Sequence, residues 1–223
     1  MKKYELTSET KIVFGHVLYR IKALSSFGYV SAGDLGGFLE SEKNLSQNGN
    51  AWVSGNAEVY GNAEVYGNAE VSGNARVSGN ARVYGNAWVS GNAEVSGNAE
   101  VSGNAWVYGS AEVYGNARVY GNAWVSGNAW VSGNAEVYGN AEVSKIGSIF
   151  WIGAVGSRND TATFFRCTDG VIRVTCGCFF GNLDEFAKKV RKTHGDNDHA
   201  KVYMLAIDMA KIRISTEKEK TEE

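Results

Sequence analysis

The sequence predicts a mainly-β protein built around a parallel β-helix. A six-residue unit, Ala-x-Val-y-Gly-Asn, recurs in phase from Ala51, and sixteen valines stand six residues apart from Val53 to Val143. Within each unit Ala and Val alternate with the variable residues x and y, which is the period of a strand. The 223 residues include 28 Gly, no Pro and only eight Leu, a composition unlike that of a helical domain.

The elements follow in chain order. Residues 1–32 read as a β cap. Lys11–Phe14 and Val17–Ala23 flank Gly15-His16 and predict a hairpin that covers the open end of the solenoid, where an unpaired strand edge invites polymerisation. Residues 33–144 are the solenoid. A helix is excluded there because a Gly in every unit costs about 1 kcal/mol each time. Ala and Val point inward, x and y outward. The Gly-Asn pair turns the chain, since both residues tolerate positive φ; Ser110 is the single lapse in that pair. Three units close a coil of 18 residues. The frame extends backwards through Gly33-Asp34-Leu35-Gly36-Gly37, with Leu35 in the Val column, Leu39 and Leu45 in Ala columns, and Asn44 and Asn50 in Asn columns. The resulting stack has a little over six coils and, at ~4.8 Å per coil, is about 30 Å long.

Residues 145–214 predict a small α+β domain that folds independently. Ile149–Val155, Thr161–Cys167 and Val171–Val174 read as strands, with Asp169-Gly170 as a tight turn. Asn182 followed by Glu185 forms a helix N-cap box, Gly195 a stop, and a second helix spans about 198–214. Residues 215–223 read as a charged, flexible tail.

Wrapping the repeat at 18 residues sorts the outward side chains onto three faces. The first carries Trp52, Glu70, Trp88, Trp106, Trp124 and Glu142; the second Glu58, Arg76, Glu94, Glu112 and Trp130. The third carries Glu64, Arg82, Glu100, Arg118 and Glu136, flanked mostly by Tyr. Charge alternates from coil to coil on the third face, so neighbours attract. On the first face Trp52, Trp88, Trp106 and Trp124 are interface candidates. Three readings stand for that wall: aromatic stacking that stabilises the ladder, self-association, or docking of a partner or of the terminal segments.

The unit Val-y-Gly-Asn-Ala-x resembles the hexapeptide repeat of left-handed β-helix proteins, and the resemblance implies the left hand. The N-terminal run Leu-Tyr-Arg-Ile…Gly-Asp-Leu-Gly-Gly-Phe-Leu-Glu is similar to that of phage and prophage hexapeptide-repeat, polymer-forming-like proteins of unknown function. So is the C-terminal run Gly-Ser-Arg-Asn-Asp…Gly-Cys-Phe-Phe-Gly…His-Gly-Asp-Asn…His-Ala. The resemblance implies a phage origin and supplies no catalytic residues.

Charge and composition narrow the function. A net charge of −2 excludes a globally basic nucleic-acid binder. DNA mimicry is weak, because residues 51–144 carry eight Glu against three Arg and charges alternate on one face. No apolar h-region and no 18-residue apolar run is present, so neither a secretory signal nor a membrane span is expected. Three Cys do not make a disulfide framework, and a cytoplasmic setting in a bacterial host is expected. Hexapeptide β-helices include many acyltransferases, which use a His base; here no His lies between Gly33 and Ser144, which argues against acyl transfer. Cys167, Cys176 and Cys178 lack zinc-site spacing with His194 or His199 and read as buried, reduced thiols. Two polar loops hold ligand candidates for a small anion or nucleotide: Arg158, Asn159 and Asp160 in one, His194, Asn197 and His199 in the other. No catalytic residue, metal or cofactor is assigned. The expected function is a non-catalytic scaffold that forms homo-oligomers and presents its terminal domain to a host or phage macromolecule, a role that could modulate host defence; the alternative is a small-anion or nucleotide binder or sequestering protein.

Overall fold

The computed structural model describes residues 2–214; the predicted tail 215–223 lies outside the described residues. Strand β1 (Tyr4–Val13) pairs antiparallel with β2 (His16–Ala23) through Val13↔His16. The turn residues are therefore Phe14 and Gly15, both at positive φ, one position earlier than Gly15-His16. β2 pairs antiparallel with β3 (Leu35–Leu39), and β3 pairs parallel with the Glu58–Val59 strand. The hairpin thus continues one wall of the solenoid and closes its end.

Sixteen two-residue strands, β4 to β19, follow at every sixth residue from Trp52–Val53 to Glu142–Val143. They form three parallel sheets in the order the 18-residue wrap predicts. The Ala and Val columns are buried along the whole stack. The Gly-Asn corner divides its labour. Only the Gly adopts positive φ; none of the repeat Asn residues does, which corrects the expectation that both turn the chain this way. Asn instead builds ladders. Nδ2 of Asn62 donates to Asn80 at 3.1 Å, and Asn80, Asn98 and Asn116 each donate to the next at 2.9 Å. Coils also stack glycine on glycine: a Cβ at Gly97 would lie 3.0 Å from backbone N and O of Gly115.

The first coil departs from the strict frame. Leu39 pairs with Val59 and Leu45 with Val65, a step of 20 rather than 18, while Asn50 bonds Asn68 at the usual step. The two extra residues therefore lie between Leu45 and Asn50. Leu39 and Leu45 occupy Val columns, not Ala columns, because a methyl-sized slot does not admit Leu. Leu35 is not in the core; it pairs with Lys22 and is exposed. Asn44 is not on the exposed ladder either. It is buried, and its Nδ2 donates to the carbonyls of Gly61 and Ala63 at 3.1 and 2.9 Å.

The C-terminal unit is an antiparallel sheet of β20 (Ile149–Val155), β21 (Asp160–Arg166), β22 (Ile172–Cys176) and β23 (Phe179–Asn182), followed by helices α1 (Leu183–His194) and α2 (Asp198–Arg213). β23 escaped the sequence reading. Asn182 and Glu185 form the predicted capping box of α1, and Asn197 caps α2. The sheet is buried on both faces. Ile149, Phe165 and Cys167 join the solenoid core. Phe164, Val174 and Ile172 pack with Phe186, Tyr203 and Ile207 of the helices. No helix among the described residues is long and apolar enough to cross a membrane.

Candidate functional site

The first face carries the aromatic wall. Alternation along each strand turns the x residues outward, and the in-register pairs Trp88↔Trp106 and Trp106↔Trp124 stack them coil upon coil. Ring centroids stand 5.0 Å apart for Trp88–Trp106, edge to face, and 5.8 Å for Trp106–Trp124, stacked. The three remain 36, 40 and 43 % exposed. The Trp88 indole donates to Ser72 Oγ at 3.1 Å, so small Ser neighbours fix a ring edge and leave its faces open. Trp52, the fourth candidate, is not on this surface. It is only 2 % exposed, with Tyr4 and Phe27 packed edge-on at 6.4 and 5.5 Å. The cap needs a large apolar anchor, and the first coil supplies Trp52.

The other two walls are charge ladders. Arg76 joins Glu58 and Glu94 at 3.5 and 3.0 Å on one. On the other, Arg82 pairs with Glu100, and Arg118 bridges Glu100 and Glu136 at 3.8 and 3.0 Å. Tyr66–Tyr84 and Tyr120–Tyr138 stack beside them at 5.0 and 4.6 Å. Burial pushes the Tyr120 hydroxyl up to about 12, helped by the Glu136 charge. The alternation predicted for the third face thus appears as ion pairs among Arg82, Glu100, Arg118 and Glu136.

The C-terminal unit holds a cleft of about 560 Å³ between the β22–β23 turn, the β20–β21 loop and the two helices. Its floor is aromatic: Phe179 and Phe186 lie 5.1 Å apart, and Phe186 meets Tyr203 edge-on at 5.4 Å. Arg158, Lys189 and His194 line it, with Asp160 as the single carboxylate. The cleft therefore unites Arg158, Asp160 and His194 from the two predicted loops. It does not include Asn159, which faces a separate recess with Asn116, Asn134 and Glu136. Asn197 is spent as a cap, accepting from the Ala200 N–H at 3.1 Å. His199 stands behind His194, ring to ring at 5.6 Å. Sequence reasoning missed Phe186, Lys189 and Val190; their three- and four-residue spacing along α1 places them on one side of the helix.

Cys176 and Cys178 also line the cleft. Burial pushes the Cys176 thiol up, with the Tyr203 hydroxyl 3.5 Å away. Cys167 is buried, but Cys178 is exposed, which corrects the reading of all three as core residues: Cys178 sits in the β22–β23 turn that the undetected strand creates. Among the described residues no group of three or more His, Cys, Asp or Glu side chains is placed to hold a metal ion.

No curated protein matches the chain. Residues 75–91 and 111–127 match a family model described as the YdcK beta solenoid repeat, a likeness confined to about one coil at each place.

Proposed function

We propose that the chain is a non-catalytic β-solenoid scaffold that oligomerises, presents its terminal domain, and uses its exposed indole ladder to hold a macromolecular partner. The observation that carries this is the wall of Trp88, Trp106 and Trp124, each more than a third exposed on a surface otherwise made of Ser, Glu and Tyr. Such a patch is a mark of an interaction site. The occupant we assign is a protein surface carrying Arg around an apolar centre. Indole faces attract guanidinium groups, and residues 51–144 carry eight Glu against three Arg, so an acidic partner would be repelled. The resemblance of the terminal runs to phage proteins supports a phage or prophage origin and work in the cytoplasm of a bacterial host, where blocking a host defence would fit. A photo-reactive residue at Tyr108, on the ladder, tests the reading against the same residue at Tyr84 on the Tyr wall. A cross-link to a basic protein from position 108 alone, lost with Trp106→Ala and Trp124→Ala, supports it. Equal cross-linking from both walls, or none, overturns it.

The cleft favours a second reading, the binding of a small anion with a flat ring. Arg158, Lys189 and His194 supply donors above the Phe179, Phe186 and Tyr203 floor. Calorimetric titration with a nucleoside monophosphate measures it; heat that survives Arg158→Ala with Lys189→Ala counts against the site.

A further inference from the structure

We infer that the outward side of α2 pairs with the same helix of a second copy of the chain. α2 is apolar on two sides, whose centres lie about 140° apart at 3.6 residues per turn. Ala200, Tyr203, Ala206, Ile207 and Ala210 are buried within the C-terminal unit. Val202, Leu205, Met209 and Ile212 point the other way and are 40, 64, 52 and 88 % exposed. Their spacing of three, four and three residues is that of the seam in a two-stranded coiled coil. At 3.6 residues per turn the four fall within a stripe of about 80°. Gly147 packs close to the Arg213 carbonyl, which sets the exposed Ile146 beside the C-terminal end of the stripe.

Among the described residues nothing covers this stripe. A second copy brings a matching apolar seam and matching charges. Lys201 and Asp208 lie along one flank of the stripe and Arg213 along the other. In a parallel, in-register pair, Asp208 of each helix reaches Arg213 of the other, five residues further on, as flanking residues of coiled coils do. An antiparallel pair would bring the two Asp208 carboxylates together instead. Asp198, one heptad before Leu205, sits in the first turn and is held by Lys201 at 2.9 Å, at the end where the pair can splay. Two heptads are too short to form a helix pair from disordered chains, but each α2 is already ordered by its own sheet and α1. A stable dimer buries about 800 Å² per partner; the seam supplies the apolar centre, and Lys201, Asp208 and Arg213 the rim.

This assigns the contact for the oligomer of the scaffold reading and rests on that part of it alone. The indole ladder lies on a solenoid wall, so the two surfaces fail separately. Light scattering of the full chain at tens of micromolar should give the mass of two chains. Leu205→Glu with Met209→Glu should give one, with an unchanged circular-dichroism melt, while Trp106→Ala with Trp124→Ala keeps two. In a Cys178→Ser background, Leu205→Cys should cross-link into dimers under mild oxidation, because the parallel seam sets position 205 against its own copy. A wild-type mass of one chain, a dimer that survives the two Glu substitutions, or the absence of the cross-link overturns the proposal.

Discussion

Thr163 closes the backbone of Glu136: its Oγ1 accepts the Glu136 N–H at 3.1 Å, in the last strand of the third wall. In the coils before it, this backbone position donates to an Ala carbonyl of the next coil, as Arg118 does to Ala135 at 2.9 Å. At Glu136 no further coil exists, and a side chain replaces it. Thr175 completes the substitution by donating to the Glu136 carbonyl at 3.1 Å. The opposite end uses the same device. Tyr4 donates to the Leu45 carbonyl at 2.7 Å, Asn44 donates to Ala63, and Glu40 accepts from the Gly61 N–H at 2.7 Å. Hydroxyl, amide and carboxylate groups blunt the edges that would otherwise template more strand pairing.

Thr163 and Thr175 are both buried, so removing either hydroxyl strands a part-buried peptide group. Thr163→Val is expected to lower the unfolding free energy by about 1–3 kcal/mol, and Thr163→Ser to recover most of it. Chemical denaturation of the full chain reads both. A Val variant as stable as wild type would mean that water or a backbone shift serves Glu136 equally well.

Ser110 interrupts the ladder that runs from Asn56 through Asn74 to Asn92 at 3.4 and 3.2 Å. Its backbone keeps the regular place, with N–H donating to Gly127 O at 2.8 Å. Ser110→Asn therefore restores the amide between Asn92 and Asn128 without moving the coil. A gain of about 0.5–1 kcal/mol is expected, seen as a higher melting midpoint. A lower midpoint would show that the ladders follow from the coil geometry and do not support it.

Lys3 adds a pH dependence at the N-terminal cap. It is buried, with Nζ donating to the Ala51 carbonyl at 2.8 Å and lying 4.9 Å from the Phe27 ring. Burial pulls its ammonium down from 10.5 to about 8. Between those values the unfolded chain holds a proton that the folded chain has released, so stability rises with pH, by at most about 1.4 kcal/mol per unit. Above pH 10 the tyrosines work the other way, since burial raises their hydroxyls and the folded state resists their ionisation. Burial raises the Cys167 and Cys176 thiols too, which opposes the climb from about pH 9, so the Lys3 contribution is the difference between wild type and Lys3→Met across pH 8–10. Denaturation midpoints of wild type should rise relative to those of Lys3→Met across that range.

The solenoid was legible because its cause is local. A Val every six residues fixes the inward column, and wrapping at 18 fixes which x residues meet, so Trp88 against Trp106 and Glu100 against Arg118 follow from counting. What escaped depends on distant segments. Trp52 occupies an outward position, and only the docking of Tyr4 and Phe27 buries it. Leu35 keeps the phase of the valines, but two extra residues after Leu45 displace the frame. The cleft joins Arg158 to His194 through a turn whose second strand, Phe179–Asn182, is short and contains a Gly. Its other members, Phe186 and Lys189, carry no signal beyond helix phase.

The last expectation concerns the boundary at Ser144. The change of composition there reads as the start of an independent domain, yet the sheet of that domain has its two faces in two different cores. Neighbouring residues on β21 divide: Phe164 packs with the helices and Phe165 with the solenoid. Ile149 and Cys167 lie with Phe165, and Trp151 packs against the same cluster. The backbone also crosses the boundary, through Ala141↔Cys167 and the Thr168 N–H to Asn140 O at 3.1 Å. A fragment of residues 145–223 would expose Ile149, Phe165 and Cys167 to water, at about 25 cal/mol for each Å² of apolar surface. The helices still cover the other face, so some structure is expected to persist. The fragment should melt well below the full chain, bind a hydrophobic dye, and regain a sharp transition when Phe165→Thr makes the exposed face polar. The full chain should respond oppositely to Phe165→Thr, losing stability as a buried polar group enters the solenoid end. A fragment that melts with the full chain and ignores the substitution would mean that the sheet needs only its helices.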